Sequence, residues 1–129
     1  MKRLCSNWGF NMKIVDLEGT IMYKDTELCW FHYKNTFIEI KPIGISEEYT
    51  PFEFQDGYTK QAVIDWLFDR LPEDNRQGLE ETCKEYGISM LGDDILHFNN
   101  GRTHDDLCWI KYRTGPQTFE EVKVPGWGV

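Results

Sequence analysis

The sequence predicts one α+β domain, an antiparallel β-meander of three to five strands packed with two to three helices. Three observations carry that prediction. Short aromatic and β-branched runs alternate with polar turn residues between Gly19 and Pro42, apolar residues recur at helical spacing after Thr59, and 129 residues suit a single unit spanning 1–129. Folding a chain of this length removes roughly two thirds of its unfolded surface from water, enough for a core without metal or disulfide staples. Aromatics at 15% fit sheet faces and interfaces better than linkers.

Met12 to Leu17 reads as an early strand. Thr20 to Tyr23, Glu27 to Tyr33 and Phe37 to Lys41 follow, separated by turns at Lys24-Asp25-Thr26 and Lys34-Asn35-Thr36, and Pro42 ends the ladder because it has no N–H to donate. In the central run, period-two alternation puts Leu28, Trp30 and His32 on one face and Cys29, Phe31 and Tyr33 on the other. Both faces are apolar, so this strand is expected either to be covered on both sides or to keep one side for a partner.

Thr59 is the expected N-cap of a helix over Lys60 to Leu71, with Ala62, Val63, Trp66 and Leu67 on its apolar face and Pro72 beyond it. Asn75 to Tyr86 predicts a second helix that buries Leu79, Cys83 and Tyr86 and stops at Gly87, a residue suited to the left-handed position after a helix. A shorter helix is expected over Asp94 to Asn100, ending at Gly101. Cys108 to Arg113 predicts a strand that packs Trp109 and Tyr112, and Thr118 to Glu121 has the spacing of a capping box.

The net charge is −8, and it is unevenly spread. Ser46 to Asp106 carries fifteen acids against five Lys or Arg, whereas the flanking segments are nearly balanced. Such a chain lacks the basic surface by which proteins displace counterions from phosphates, so direct nucleic-acid binding is not expected. Imitation of nucleic acid is compatible with it. Glu73, Asp74, Glu80, Glu81, Glu85, Asp93, Asp94, Asp105 and Asp106 form the expected partner-binding set. Four widely spaced cysteines, Cys5, Cys29, Cys83 and Cys108, form no metal knuckle and are expected as free thiols in a reducing cytoplasm. Leu4 to Gly9 does not develop into the apolar region of a signal peptide, and no run reaches the length of a membrane span.

Catalytic patterns are scarce. There is no Gly-x-Ser-x-Gly elbow, no phosphate-cradling glycine loop, and no kinase constellation around His104-Asp105-Asp106. The strongest chemical alternative is a metal-dependent enzyme built from His97, His104 and the aspartates at 93, 94, 105 and 106. Helix capping accounts for most of those residues, so no catalytic residue, metal or cofactor is assigned. His32 receives no role.

Gly19 to Leu28, with its Met22-Tyr23-Lys24-Asp25 core, resembles the LMHKDIPV opening of the module that precedes the kinase domain in HipA-like proteins of clostridia and their mobile elements. Tyr86 to Ser89 and the Asp105 to Lys111 core are similar to that module's GLSLSDQYWIKP, and Thr118 to Val122 to its TWEDV. The resemblance supplies no active site. The sequence ends at Val129, where the kinase domain would begin, and the resemblance then implies a free-standing regulatory module acting as a binder. The expected function is therefore a non-catalytic binding or regulatory protein of bacterial or phage mobile-element origin. Its sharper form is an inhibitor of a nucleic-acid-handling defence enzyme, such as an anti-CRISPR. A structural subunit of a larger assembly is the third reading, in which aromatic strands are buried between copies.

Overall fold

A computed structural model describes residues 13–71, 79–89, 91–103 and 105–123, without the side chains of Leu79, Glu80 and Thr82. Nine elements follow one another among the described residues. They are β1 (Asp16–Tyr23), β2 (Thr26–Lys34), β3 (Phe37–Pro42), a 3-10 turn (Phe52–Phe54), α1 (Lys60–Asp69), α2 (Leu79–Tyr86), α3 (Gly92–Asn99), β4 (Cys108–Lys111) and α4 (Phe119–Val122). The α+β expectation holds: the four strands make one antiparallel sheet in the order β3-β2-β1-β4.

Two-residue connections set the register of the meander. Tyr23 pairs with Thr26 across Lys24-Asp25, and Lys34 pairs with Phe37 across Asn35-Thr36. Asn35 and Thr36 both lie in the left-handed region, at φ 52 and 72. Paired positive φ angles match the right-handed twist of hairpin strands, and Asn is at ease there whereas a β-branched Thr is not.

One face of the sheet carries the core. Leu17, Gly19, Ile21 and Tyr23 of β1 alternate inward, opposite Tyr33, Phe31 and Cys29 of β2, with Ile38 of β3 and Cys108 and Ile110 of β4 extending the layer. Val63, Trp66 and Leu67 of α1, Leu96 of α3 and Phe54 of the 3-10 turn cover it. Thr59 caps α1 as expected, its hydroxyl accepting from the Ala62 N–H at 3.1 Å. Gly19 is where Tyr112 and Ile110 press on β1, since a Cβ there would lie 2.6 Å from Ile110 Cγ2 and 3.2 Å from Tyr112 Cδ1.

The opposite face is mostly polar. Asp16 meets His32 at 2.9 Å, Glu18 accepts from the Trp30 indole at 3.3 Å, and Lys111 donates to Glu27 at 2.6 Å. At one end Met22 and Trp109 are buried with Val122 and Phe119 of α4, a second small apolar cluster. Asn100 closes the outer edge of β4: its carbonyl accepts from the Ile110 N–H at 2.7 Å, and its side-chain amide donates to the Ile110 carbonyl at 3.1 Å.

Three expectations about the sheet need correction. The early strand is not separate, for Asp16 and Leu17 open β1, the Lys13 carbonyl accepts from Gly92, and Met12 lies outside the described residues. Leu28 does not share the Trp30 face, because the β1–β2 register shifts between Ile21 and Met22, a bulge that turns both Leu28 and Cys29 into the main core. β4 is also shorter than expected, ending at Lys111, although Tyr112 beyond it is buried and its hydroxyl donates to the Leu96 carbonyl at 3.0 Å.

Candidate partner-binding surface

The pairing of α2 and α3 begins with a chain reversal. Gly87, at φ 71, allows the Ile88 N–H to reach the Cys83 carbonyl at 2.9 Å and its own N–H to reach Lys84 at 3.2 Å, the double bond of a Schellman motif. Cys83 then packs on Ile95 of α3, with Leu71 and Ile88 alongside. Glu81 and Glu85, two positions either side of Cys83, lie about 200° around the helix from it. Both are exposed.

Tyr86 was expected to be buried with Leu79 and Cys83, and it is instead 57% exposed. It sits at the rim of the α2–α3 contact, three residues after Cys83, and meets Phe98 with ring centroids 5.0 Å apart. Phe98 is itself 37% exposed. Asp94, one turn before Phe98 on the same side of α3, is exposed and accepts from the Ser89 hydroxyl at 2.7 Å. Glu81, Glu85 and Asp94 are thus outward carboxylates on two helices joined at their rim by an exposed aromatic pair.

The other expected site residues divide differently. Asp93 is 8% exposed, and its two carboxylate oxygens accept from the Val15 and Asp16 N–H groups at 2.8 and 2.7 Å. Asp106 has a side chain only 10% exposed and takes a bidentate pair of bonds from Arg70, at 2.5 and 3.1 Å, while also accepting from the Cys108 N–H at 3.0 Å. Burial and internal partners remove both from the expected binding set. Asp105 is exposed. Glu73, Asp74 and the Glu80 side chain lie outside the described residues.

Arg70 is the residue that the sequence did not single out. Its guanidinium lies 4.4 Å above the Trp66 ring, deep under the loop that leads to β4. Arg102, also buried, donates to the carbonyls of Asp106, Cys108, Val122 and Lys123, which ties α4 to the same loop. A pair of arginines at 70 and 102 inside an acidic chain is a sequence-level hint, but neither partner set is local.

For the metal alternative, no three His, Cys, Asp or Glu side chains converge among the described residues, and His104 lies outside them. His97 stacks on Tyr112 at 4.0 Å, and desolvation holds its pKa below the ordinary value against the pull of Asp93 and Asp94. Cys29, Cys83 and Cys108 are free and buried. Burial pushes the Cys29 thiol up to about 11, and burial reinforced by Asp106 pushes Cys108 up to about 12, so neither supplies a thiolate near neutral pH. No described helix is long and apolar enough to cross a membrane.

Three of the four segments quoted above for the expected resemblance, Gly19 to Leu28, Asp105 to Lys111 and Thr118 to Val122, meet in one corner of the fold, whereas Tyr86 to Ser89 stands at the end of α2. The Trp109 indole donates to the Lys24 carbonyl at 2.6 Å, Asp25 accepts from the Phe119 N–H at 2.8 Å, and Glu121 reaches back to the Thr118 N–H at 3.0 Å. These contacts hold α4 against the β1–β2 hairpin. These residues therefore act in packing and capping here. Comparison with protein-family models, with curated proteins and with solved structures finds no match.

Proposed function

We propose that this protein is a non-catalytic binding protein whose α2–α3 face engages a Lys- and Arg-rich surface on a protein partner, in its sharper form the phosphate-binding groove of a nucleic-acid-handling defence enzyme. The observations that carry this reading are the exposed Tyr86–Phe98 contact that joins α2 to α3 and the exposed carboxylates of Glu81 and Glu85 on α2 and of Asp94 on α3. Charge and aromatic area have complementary uses at an interface. Carboxylates steer a basic partner from a distance and compete with phosphates for its cations, whereas two large rings supply apolar area at close range.

The test is capture from bacterial lysate on immobilised protein at about 0.1 M salt, with release by heparin, a soluble polyanion that competes for phosphate-binding grooves. A captured protein that heparin releases, and that is not held at about 1 M salt where the screening length falls to about 3 Å, supports the reading. Capture that resists both heparin and salt contradicts it, as does retention of no basic protein at all.

A further inference from the structure

A second surface lies on the sheet, away from the α2–α3 face, and does not rest on that reading. The two outer strands differ in how their edges end. Asn100 closes the edge of β4, whereas among the described residues no strand pairs with the outer edge of β3. Ladder alternation fixes which groups that edge presents. The two-residue connection makes Lys34 and Phe37 a mutually hydrogen-bonded pair, so Glu39 and Lys41 also bond toward β2. Ile43, just beyond β3, continues the pattern with its N–H on the Leu28 carbonyl at 2.9 Å. The N–H and C=O groups of Ile38 and Ile40 therefore point away from β2. Pro42, next in that series, offers only a carbonyl.

An unpaired edge invites another strand, and proteins commonly blunt such edges with charge, especially Lys. β3 instead carries one charge of each sign, placed symmetrically about Ile40. Phe37, Glu39, Lys41 and Ile43 alternate onto the face opposite the main core, and all four are exposed, Phe37 at 80% and Ile43 at 48%. When a second copy of β3 lies antiparallel with Ile40 opposite Ile40, Glu39 meets Lys41 and Phe37 meets Ile43, each pair occurring twice. The two Ile40 residues exchange both their hydrogen bonds, and each Ile38 N–H donates to the Pro42 carbonyl of the other copy. Sliding the strands by two residues is the smallest step that keeps the outward groups facing one another. In one direction it sets Glu39 against Glu39, and in the other Lys41 against Lys41. Charge thus selects a single register.

We propose that β3 is the self-association edge of this protein, and that two copies join β3 to β3, antiparallel and centred on Ile40, into one eight-stranded sheet made of the four described strands of each. The contact is isologous: each copy offers the same edge, so pairing uses up both open edges and stops at two.

Sedimentation equilibrium of the full chain across a concentration series, together with amide hydrogen exchange, tests this. The expected mass rises toward twice 15.3 kDa with concentration. The Ile38 and Ile40 amides should exchange quickly in dilute protein and become protected as it dimerises, while the Glu39 and Lys41 amides, bonded to β2, are protected throughout. Glu39→Lys should raise the dimer Kd by at least about tenfold, because it replaces two attractive cross-strand pairs with two repulsive ones. Lys41→Glu should do the same, and the double variant Glu39→Lys, Lys41→Glu should restore pairing with the signs exchanged. The amide pattern is read on the parent protein, so the test stands even where a variant fails to fold. A monomer at every concentration would overturn the proposal. So would a dimer that leaves the Ile38 and Ile40 amides unprotected, which would place the contact on another surface, or a charge-exchanged double variant that pairs no better than the single ones.

Discussion

Asp93 and Asp106 on one side, and Glu81 and Glu85 on the other, are four acids of the same charged stretch that the fold treats in opposite ways. The first two are enclosed, each with both oxygens taken by N–H donors, and they join parts of the chain far apart in sequence: Asp93 holds the entry to β1, and Asp106 holds the end of α1. The second two stand in solvent on the side of α2 opposite Cys83. Net charge says nothing about this division. What separates the groups is whether a donor waits at the place where the backbone puts the carboxylate, so inward acids are structural parts and only outward ones are available to a partner.

The comparison can be broken by removing charge from each group in turn. Asp106→Ala should have the largest effect, since it leaves the Arg70 guanidinium buried without its partner. A loss of about 3–5 kcal/mol in urea unfolding is expected, whereas a loss under about 1 kcal/mol would mean that the pair is effectively solvated. Gly19→Ala comes next. Its new Cβ would meet Ile110 Cγ2 at 2.6 Å and the Lys111 carbonyl at 3.1 Å, backbone that cannot easily withdraw, and overpacking of this kind should cost about 1–3 kcal/mol. Thr36→Gly should act in the other direction, relieving a β-branched residue from φ 72. The relief of about 1–2 kcal/mol is partly offset by the added freedom of glycine in the unfolded chain, about 0.4–1 kcal/mol, so a gain of up to about 1.6 kcal/mol and a rise in Tm are expected. The smallest stability change belongs to the double variant Glu81→Gln and Glu85→Gln, within about 0.5 kcal/mol of the parent. A larger loss there would place those side chains in contacts that the fold does not show.

Much of the architecture was legible in the residues themselves. The meander could be read because Lys24-Asp25 and Asn35-Thr36 punctuate alternating runs, and α1 because Thr59 precedes apolar residues at helical spacing. The bulge at Leu28 was not legible, because Leu28-Cys29-Trp30-Phe31 is apolar in both parities and alternation alone cannot say which parity faces inward. Tyr86 shares the spacing of Cys83, but α2 reaches the core through Cys83 beside Ile95, which leaves Tyr86 at the rim against Phe98. For the candidate surface, the exposure of Glu81 and Glu85 followed from helix geometry. The withdrawal of Asp93 and Asp106 did not, since the N–H donors of Asp93 stand 78 and 77 residues away and the Arg70 partner of Asp106 stands 36 residues away.

The most direct test of the binding reading compares the parent protein with the Glu81→Gln, Glu85→Gln variant against the heparin-released partner, measuring Kd by calorimetry across a salt series from about 0.05 to 0.5 M. The account predicts weaker binding by the variant at low salt and a shallower dependence of affinity on salt, with unchanged unfolding behaviour, because the outward carboxylates act through long-range charge that ions screen. The same Kd and the same salt slope for both proteins would contradict it, and would return the acidity of α2 to an ordinary solvated surface.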